Sequence, residues 1–199
     1  MDNPRKTTKT CPVPKEDKRL LFHKNKLRLN RKIIDFYNQI MGKQMPCSIQ
    51  YHFVQQFPIS AQEAYTWCTD FDQADHSLMG DENARRQITR ITDNTLILTD
   101  VFHIAGERIE KQKLVQLYSD KYRWTSTHLT GPIKYSQFIY EISSISKNAS
   151  CLDFTGLFID YGREKLDSIS REKIAKQLIE EDSCVWKLLA EAMEQDLSK

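Results

Sequence analysis

Five histidines, at positions 23, 52, 76, 103 and 128, are the first side chains to ask about chemistry. None stands in an H-x-H or H-x-x-x-H spacing, so no two lie side by side on a strand or helix face as a pair of metal ligands would. His128 has a different context: it alternates with Trp124 and Ser126, and a strand puts all three on one face. There the imidazole could donate to a ligand carbonyl or act as a general acid in a cyclase-type reaction with Tyr140 or Tyr122; the plainer reading is a satisfied or solvent-facing histidine near a strand end. Glu181 and Asp182 interrupt an apolar helical stripe and are best weighed beside Asp153 and Asp160. A carboxylate aimed into a cavity would have a raised pKa, but the simpler expectation is that Glu180, Glu181 and Asp182 form a solvated shoulder. The five cysteines (11, 47, 68, 151 and 184) are scattered, odd in number and without a C-x-x-C pair, which reads as free thiols rather than zinc or redox chemistry. No Ser-His-Asp order and no glycine-rich phosphate loop occurs among only 6 glycines. The residues therefore favour binding over catalysis, with no metal and no cofactor.

The composition, 40% hydrophobic and 28% charged over 199 residues, describes a globular protein long enough to bury a sizeable core. No apolar run approaches the roughly 18 residues of a membrane span, and Met1 to Arg19 contains no apolar segment of the kind a secretory leader needs. Charge divides the chain. Residues 1–45 carry 12 Lys/Arg against 4 Asp/Glu, a balance of +8, and the remainder carries 17 against 23, a balance of −6. This marks two units, a basic N-terminal extension over 1–45 and a folded domain over 46–199.

Within the extension, prolines at 4, 12 and 14 and few apolar residues predict disorder to about Lys15. Phe22, Leu29, Ile33, Phe36 and Ile40 then recur on one face of a helix expected over 16–41. Lys24, Arg28, Arg31 and Lys32 stand off that face. They are the candidate contacts with an anionic membrane surface or an acidic partner, nucleic acid ranking lower; alternatively the helix packs on the domain and its charges are solvated.

Elements that could hold the candidate residues follow. Alternation over Ser48–Phe57 predicts a first strand ended by Pro58, and Ser60 with Glu63 forms an S-x-x-E capping box opening a short helix to about Asp70. A second short helix is expected over Asp72–Met79. Strands are then expected over Arg85–Thr92, Thr95–Ala105, Arg108–Tyr118, Lys121–Leu129, Lys134–Ser146 and Ser150–Tyr161, seven in all. A long helix closes the chain to about Leu197, capped by Ser168 or Ser170, with Ile174, Leu178, Val185, Leu188, Leu189 and Ala192 on its buried side.

This order, together with "FPISAQEAYTWCTDF" at the helical insert and "EKIAKQLIEEDSCVWKLLAEAMEQDL" at the close, resembles the START-like superfamily, also called SRPBCC or helix-grip proteins, over about Ser48 to Leu197. The resemblance implies an α+β helix-grip fold: a curved antiparallel sheet of about seven strands wrapped around the long C-terminal helix, with two short helices after strand one. It implies a cavity between sheet and helix that binds or transports a hydrophobic or amphipathic, lipid-like small molecule. The alternatives are a cyclase- or dehydrase-type enzyme in the same cavity, or a module docking through the basic helix. Residues expected to meet the ligand are Tyr122, Trp124, His128, Phe138, Tyr140, Phe154, Phe158, Val185, Leu188 and Leu189. A cytoplasmic location, with peripheral membrane contact through the extension, completes the expectation.

Overall fold

The computed structural model describes residues 46–73, 75–76, 83–104, 107–161 and 166–197. The extension over 1–45, and with it the expected helix and Lys24, Arg28, Arg31 and Lys32, lies outside the described residues.

β1 (Cys47–Phe57) buries Ile49, Tyr51, Phe53 and Phe57 and exposes Gln50, His52 and Val54, the period-two pattern of a strand with one covered face. The chain then turns into α1 (Ala61–Thr69) through the expected capping box. The Glu63 amide donates to Ser60 Oγ at 3.3 Å, and the Ser60 amide donates to the Glu63 carboxylate at 3.1 Å. Ala61, Ala64 and Tyr65 form its buried face. Of the second short helix, Asp75 and His76 are helical, and the rest of that expectation lies outside the described residues.

β2 (Arg85–Thr92), β3 (Thr95–Ile104), β4 (Glu107–Tyr118), β5 (Arg123–His128), β6 (Gln137–Ser146) and β7 (Ala149–Asp160) complete one seven-stranded antiparallel sheet in the order β1-β7-β6-β5-β4-β3-β2. Two expected boundaries move inward. β5 begins at Arg123 because Ser119–Lys121 make a 3-10 turn and Tyr122 takes a left-handed conformation at φ 45°. β6 begins at Gln137 because a tight loop precedes it, in which the Tyr135 amide donates to the His128 carbonyl and the His128 amide donates to the Ser136 carbonyl.

α2 (Ser168–Leu197) crosses the concave face and packs chiefly on β1. Its cap is Asp167 rather than either serine: the Asp167 carboxylate accepts the Ser170 amide at 2.6 Å, three residues on, where an N-cap oxygen reaches. The buried stripe is also rotated from the expected one. Leu178, Ile179, Trp186, Ala190 and Met193 join the core with Asp182 on the same line, while Val185, Leu188 and Leu189 are half-buried at its flank. Steps of four from 178 through 182 and 186 to 190 turn the seam one position past the aliphatic run, and the Trp186 ring is what it delivers to the sheet. Among the described residues no helix is long and apolar enough to cross a membrane.

Candidate functional site

The register lays the concave face out in rows. Phe53, Phe154, Tyr140, Trp124 and Leu117 follow one another across β1, β7, β6, β5 and β4; beside them run Tyr51, Gly156, Phe138, Ser126, Val115 and Leu96. Trp124 and Tyr140 stack with centroids 4.6 Å apart and planes within 4°. Trp186 comes down from α2 to 5.7 Å from Tyr140 and 6.3 Å from Trp124. Phe53 and Phe138 stack on Phe154 at 4.6 and 5.7 Å, and Tyr65 closes the side with its ring 6.0 Å from Trp124 and 5.8 Å from Tyr122. The result is a wall of rings, each pair within the range where offset or edge contacts add to area burial.

A gap in the second row is filled from one side. A methyl group on Gly156 would stand 2.3 Å from the Tyr51 ring, so only glycine there lets that ring lie flat across β7. The Tyr51 hydroxyl then reaches α2 and donates to the Asp182 carboxylate in a short hydrogen bond. Burial pushes Asp182 up from 3.8 to about 6, against the pull of the Tyr51 hydrogen bond; burial, with Asp182 next to it, pushes the Tyr51 phenol far above its ordinary value. Asp182 is thus a tether under α2 and not part of a solvated shoulder.

Along β5 and β4 the face changes from aromatic to charged. Beyond Trp124 come Ser126 and His128, and beyond Leu117 and Val115 come Lys113 and Lys111. Asp100, 2% exposed, continues the Leu96-Leu98 face of β3 and gathers two cations, Arg86 Nε at 2.7 Å and Lys113 Nζ at 3.1 Å, with a hydrogen bond from His76 Nε2 at 3.2 Å. Burial alone would raise the Asp100 carboxyl; His76, Lys113 and Arg86 outweigh it and hold the group well below the usual carboxylate range. His128, 7% exposed, sets its ring edge-on to Phe138 at 5.3 Å. Burial, then the charges of Lys113 and Lys111, push it down to about 3, so it is neutral at pH 7. Among the described residues, buried polar atoms on this side without a hydrogen-bond partner are Tyr65 Oη, Ser126 Oγ and His128 Nδ1, with Ser150 Oγ further along β7. Ser126 lies near enough to Tyr140 to ease its ionisation without hydrogen-bond geometry, while burial keeps that phenol far above its ordinary value.

Of the residues expected to meet a ligand, Tyr122, Trp124, Phe138, Tyr140, Phe154 and Phe158 belong to or pack on this one cluster, and His128 joins it through Phe138. Val185, Leu188 and Leu189 stand beside it. Asp182 was weighed as a cavity carboxylate, but its bond to Tyr51, the place of Trp186 and the charged group around Asp100 were not anticipated. For the last, a signal existed: Leu96-Leu98-Asp100 and Val115-Lys113-Lys111 each carry an inward alternation straight from apolar into charged residues. Two surface hollows lie elsewhere, one of about 500 Å³ along Ile169, Lys173, Lys176 and Glu180 of α2 and one of about 310 Å³ beside Asp70–Gln73, Arg86 and Ile88. Among the described residues no group of His, Cys, Asp and Glu is arranged to hold a metal ion.

No protein-family model matches the sequence, and no curated protein matches it. Solved structures do match in shape. An aromatase/cyclase, Zhui, from a Streptomyces species superposes with a TM-score of 0.59 at 13% identity, over 76% of this chain and 96% of that one. Norcoclaurine synthase from Thalictrum flavum, solved with dopamine and hydroxybenzaldehyde, gives 0.55 at 12% identity over 75% and 88%. A START superfamily protein from Mycobacterium smegmatis gives 0.54 at 15% identity over 74% and 98%. The shared architecture is the START-like, SRPBCC helix-grip fold.

Proposed function

From a helix-grip fold with an aromatic concave face, we propose that the domain over 46–199 binds or carries a hydrophobic or amphipathic small molecule between the sheet and α2, in the cytoplasm. One observation carries this reading: Tyr65 Oη, Ser126 Oγ and His128 Nδ1 are buried without partners beside the rings of Trp124, Tyr140, Phe138 and Phe154. Unpaired buried polar groups are costly, and three along one aromatic wall suit a ligand that is mostly apolar with a few polar atoms. The rings of Tyr122 and Phe158 extend the same wall. Trp186 stands in the middle of the face, so a ligand entering there must move its ring. Native mass spectrometry of the purified protein tests the proposal: a copurified or exchangeable lipid-like ligand is expected, and its absence under all loading conditions overturns the reading.

A cyclase-type reaction on the same face is the second reading. The likeness to an aromatase/cyclase and to norcoclaurine synthase supports it, as does a neutral His128 beside Phe138. A ligand recovered unchanged after prolonged incubation with the protein would sink it. For the extension, the division of +8 against −6 supports contact between Lys24, Arg28, Arg31 and Lys32 and an anionic membrane surface, an acidic partner being the alternative. Sedimentation with anionic liposomes, with and without residues 1–45, separates this from the carrier role; equal binding by both forms removes it.

A further inference from the structure

Among the described residues, Lys111 is a cation of the concave face within ion-pair reach of no carboxylate. Asp100 takes Arg86, His76 and Lys113, and Asp75 lies 3.6 Å from Arg86, but Lys111 makes no ion pair among the described residues. Its position is fixed all the same. The ammonium lies 4.7 Å from the centre of the Phe102 ring, within cation–π range. On the other side its stem runs against Gly131, which sits at φ +87° and where a methyl group would come within 2.9 Å of Lys111 Cγ. Lys111 and Lys113 both face His128, whose Nδ1 is buried and unpartnered. These donors stand at the end of the strand face that begins with Trp124.

We infer that Lys111 and His128 receive the anionic head, a carboxylate or a similar single negative charge, of a ligand whose apolar body lies on the ring wall of Trp124, Tyr140, Phe138 and Phe154. The inference rests on reading that wall as a ligand site and adds to it the class of ligand. An ammonium held on an aromatic ring without a counter-ion gains an ion pair when such a head arrives. His128 contributes Nδ1–H in the tautomer that carries its proton there. The group facing Lys111 that most opposes an incoming anion is Asp100, which Arg86 and Lys113 already neutralise and His76 hydrogen-bonds. Burial, and then Lys113, lower the Lys111 amine to about 8, which leaves it largely charged at neutral pH and consistent with a site lacking an anion.

Two dyes with one aromatic frame test this on the full chain: 8-anilinonaphthalene-1-sulfonate and its neutral counterpart N-phenyl-1-naphthylamine. The ratio of their dissociation constants is read by fluorescence titration. The sulfonate is expected to bind about tenfold tighter, the ratio falling to about one in Lys111→Gln and staying high in Lys111→Arg. Circular dichroism checks that each variant is folded; if Lys111→Gln is not, rising salt must weaken the sulfonate selectively in the wild-type chain. Equal binding of the two dyes, or a preference that survives Lys111→Gln, overturns the anion site and leaves the hydrophobic site standing. Failure of both dyes to bind overturns the hydrophobic site and this inference with it.

Discussion

The Tyr51–Asp182 pair shows how much rests on single side chains. Asp182 holds its proton more tightly folded, at about 6, than at its ordinary 3.8. Its contribution is therefore fully present below about pH 4 and is lost as pH rises through 6, an effect of roughly 3 kcal/mol. Asp182→Asn should remove that loss, measured as a flatter difference in urea stability between the two pH values. Subtracting variant from wild type matters, because burial also lifts Asp75 to about 6. Tyr51→Phe withdraws the hydrogen bond that pulls Asp182 down, so its carboxyl resonance should titrate above 6 by NMR. Gly156→Ala must push the Tyr51 ring off the sheet, and a loss of about 1–3 kcal/mol is expected in denaturant melts. None of these three residues was legible as a unit. Tyr51 and Asp182 are 131 positions apart, and a lone acid among Glu180, Glu181 and Asp182 looks like solvated surface until a partner is known.

At the scale of elements, sequence and structure agree where the signal is local. Alternation located β1 through β4 to within a residue or so, and Ser60 with Glu63 located α1. Ser60→Ala should cost about 1 kcal/mol in thermal or urea unfolding, since the Glu63 amide loses its Ser60 Oγ acceptor and the Glu63 carboxylate loses the Ser60 hydroxyl that helps hold it. Agreement weakened where a backbone twist decides: Tyr122 and Tyr135 have φ of 45° and 67°, and nothing in their residue type announces it. The face of α2 was the largest miss. Counting Val185, Leu188 and Leu189 favoured the aliphatic side, but a large ring and a hydrogen-bonded carboxylate set the seam one residue further round. Trp186→Ala, which strips that ring from between Phe57, Trp124 and Tyr140, should destabilise the fold by about 3 kcal/mol in denaturant melts. Trp186 emission should also shift when a ligand binds.

For the molecule as a whole, element order was legible because seven strands and a closing helix leave few layer arrangements, and the resemblance supplied the curved sheet around the helix, though not the strand order. The charged end of the concave face was missed because the alternation of Leu96 and Leu98, and of Val115, was not followed onward into Asp100, Lys113 and Lys111. The sheet order also has a temporal side. Five strands pair with the strand that follows them, but among the described residues β1 finds its one neighbour in β7, where Cys47 meets Asp160. Loop-closure entropy must be paid for that pairing before it yields contacts, which predicts slow folding limited by the union of first strand and last. On a ribosome, Ile49, Tyr51, Phe53 and Phe57 would emerge early and wait, their apolar side uncovered, until more than half the chain had followed. That interval predicts that the nascent chain engages a chaperone.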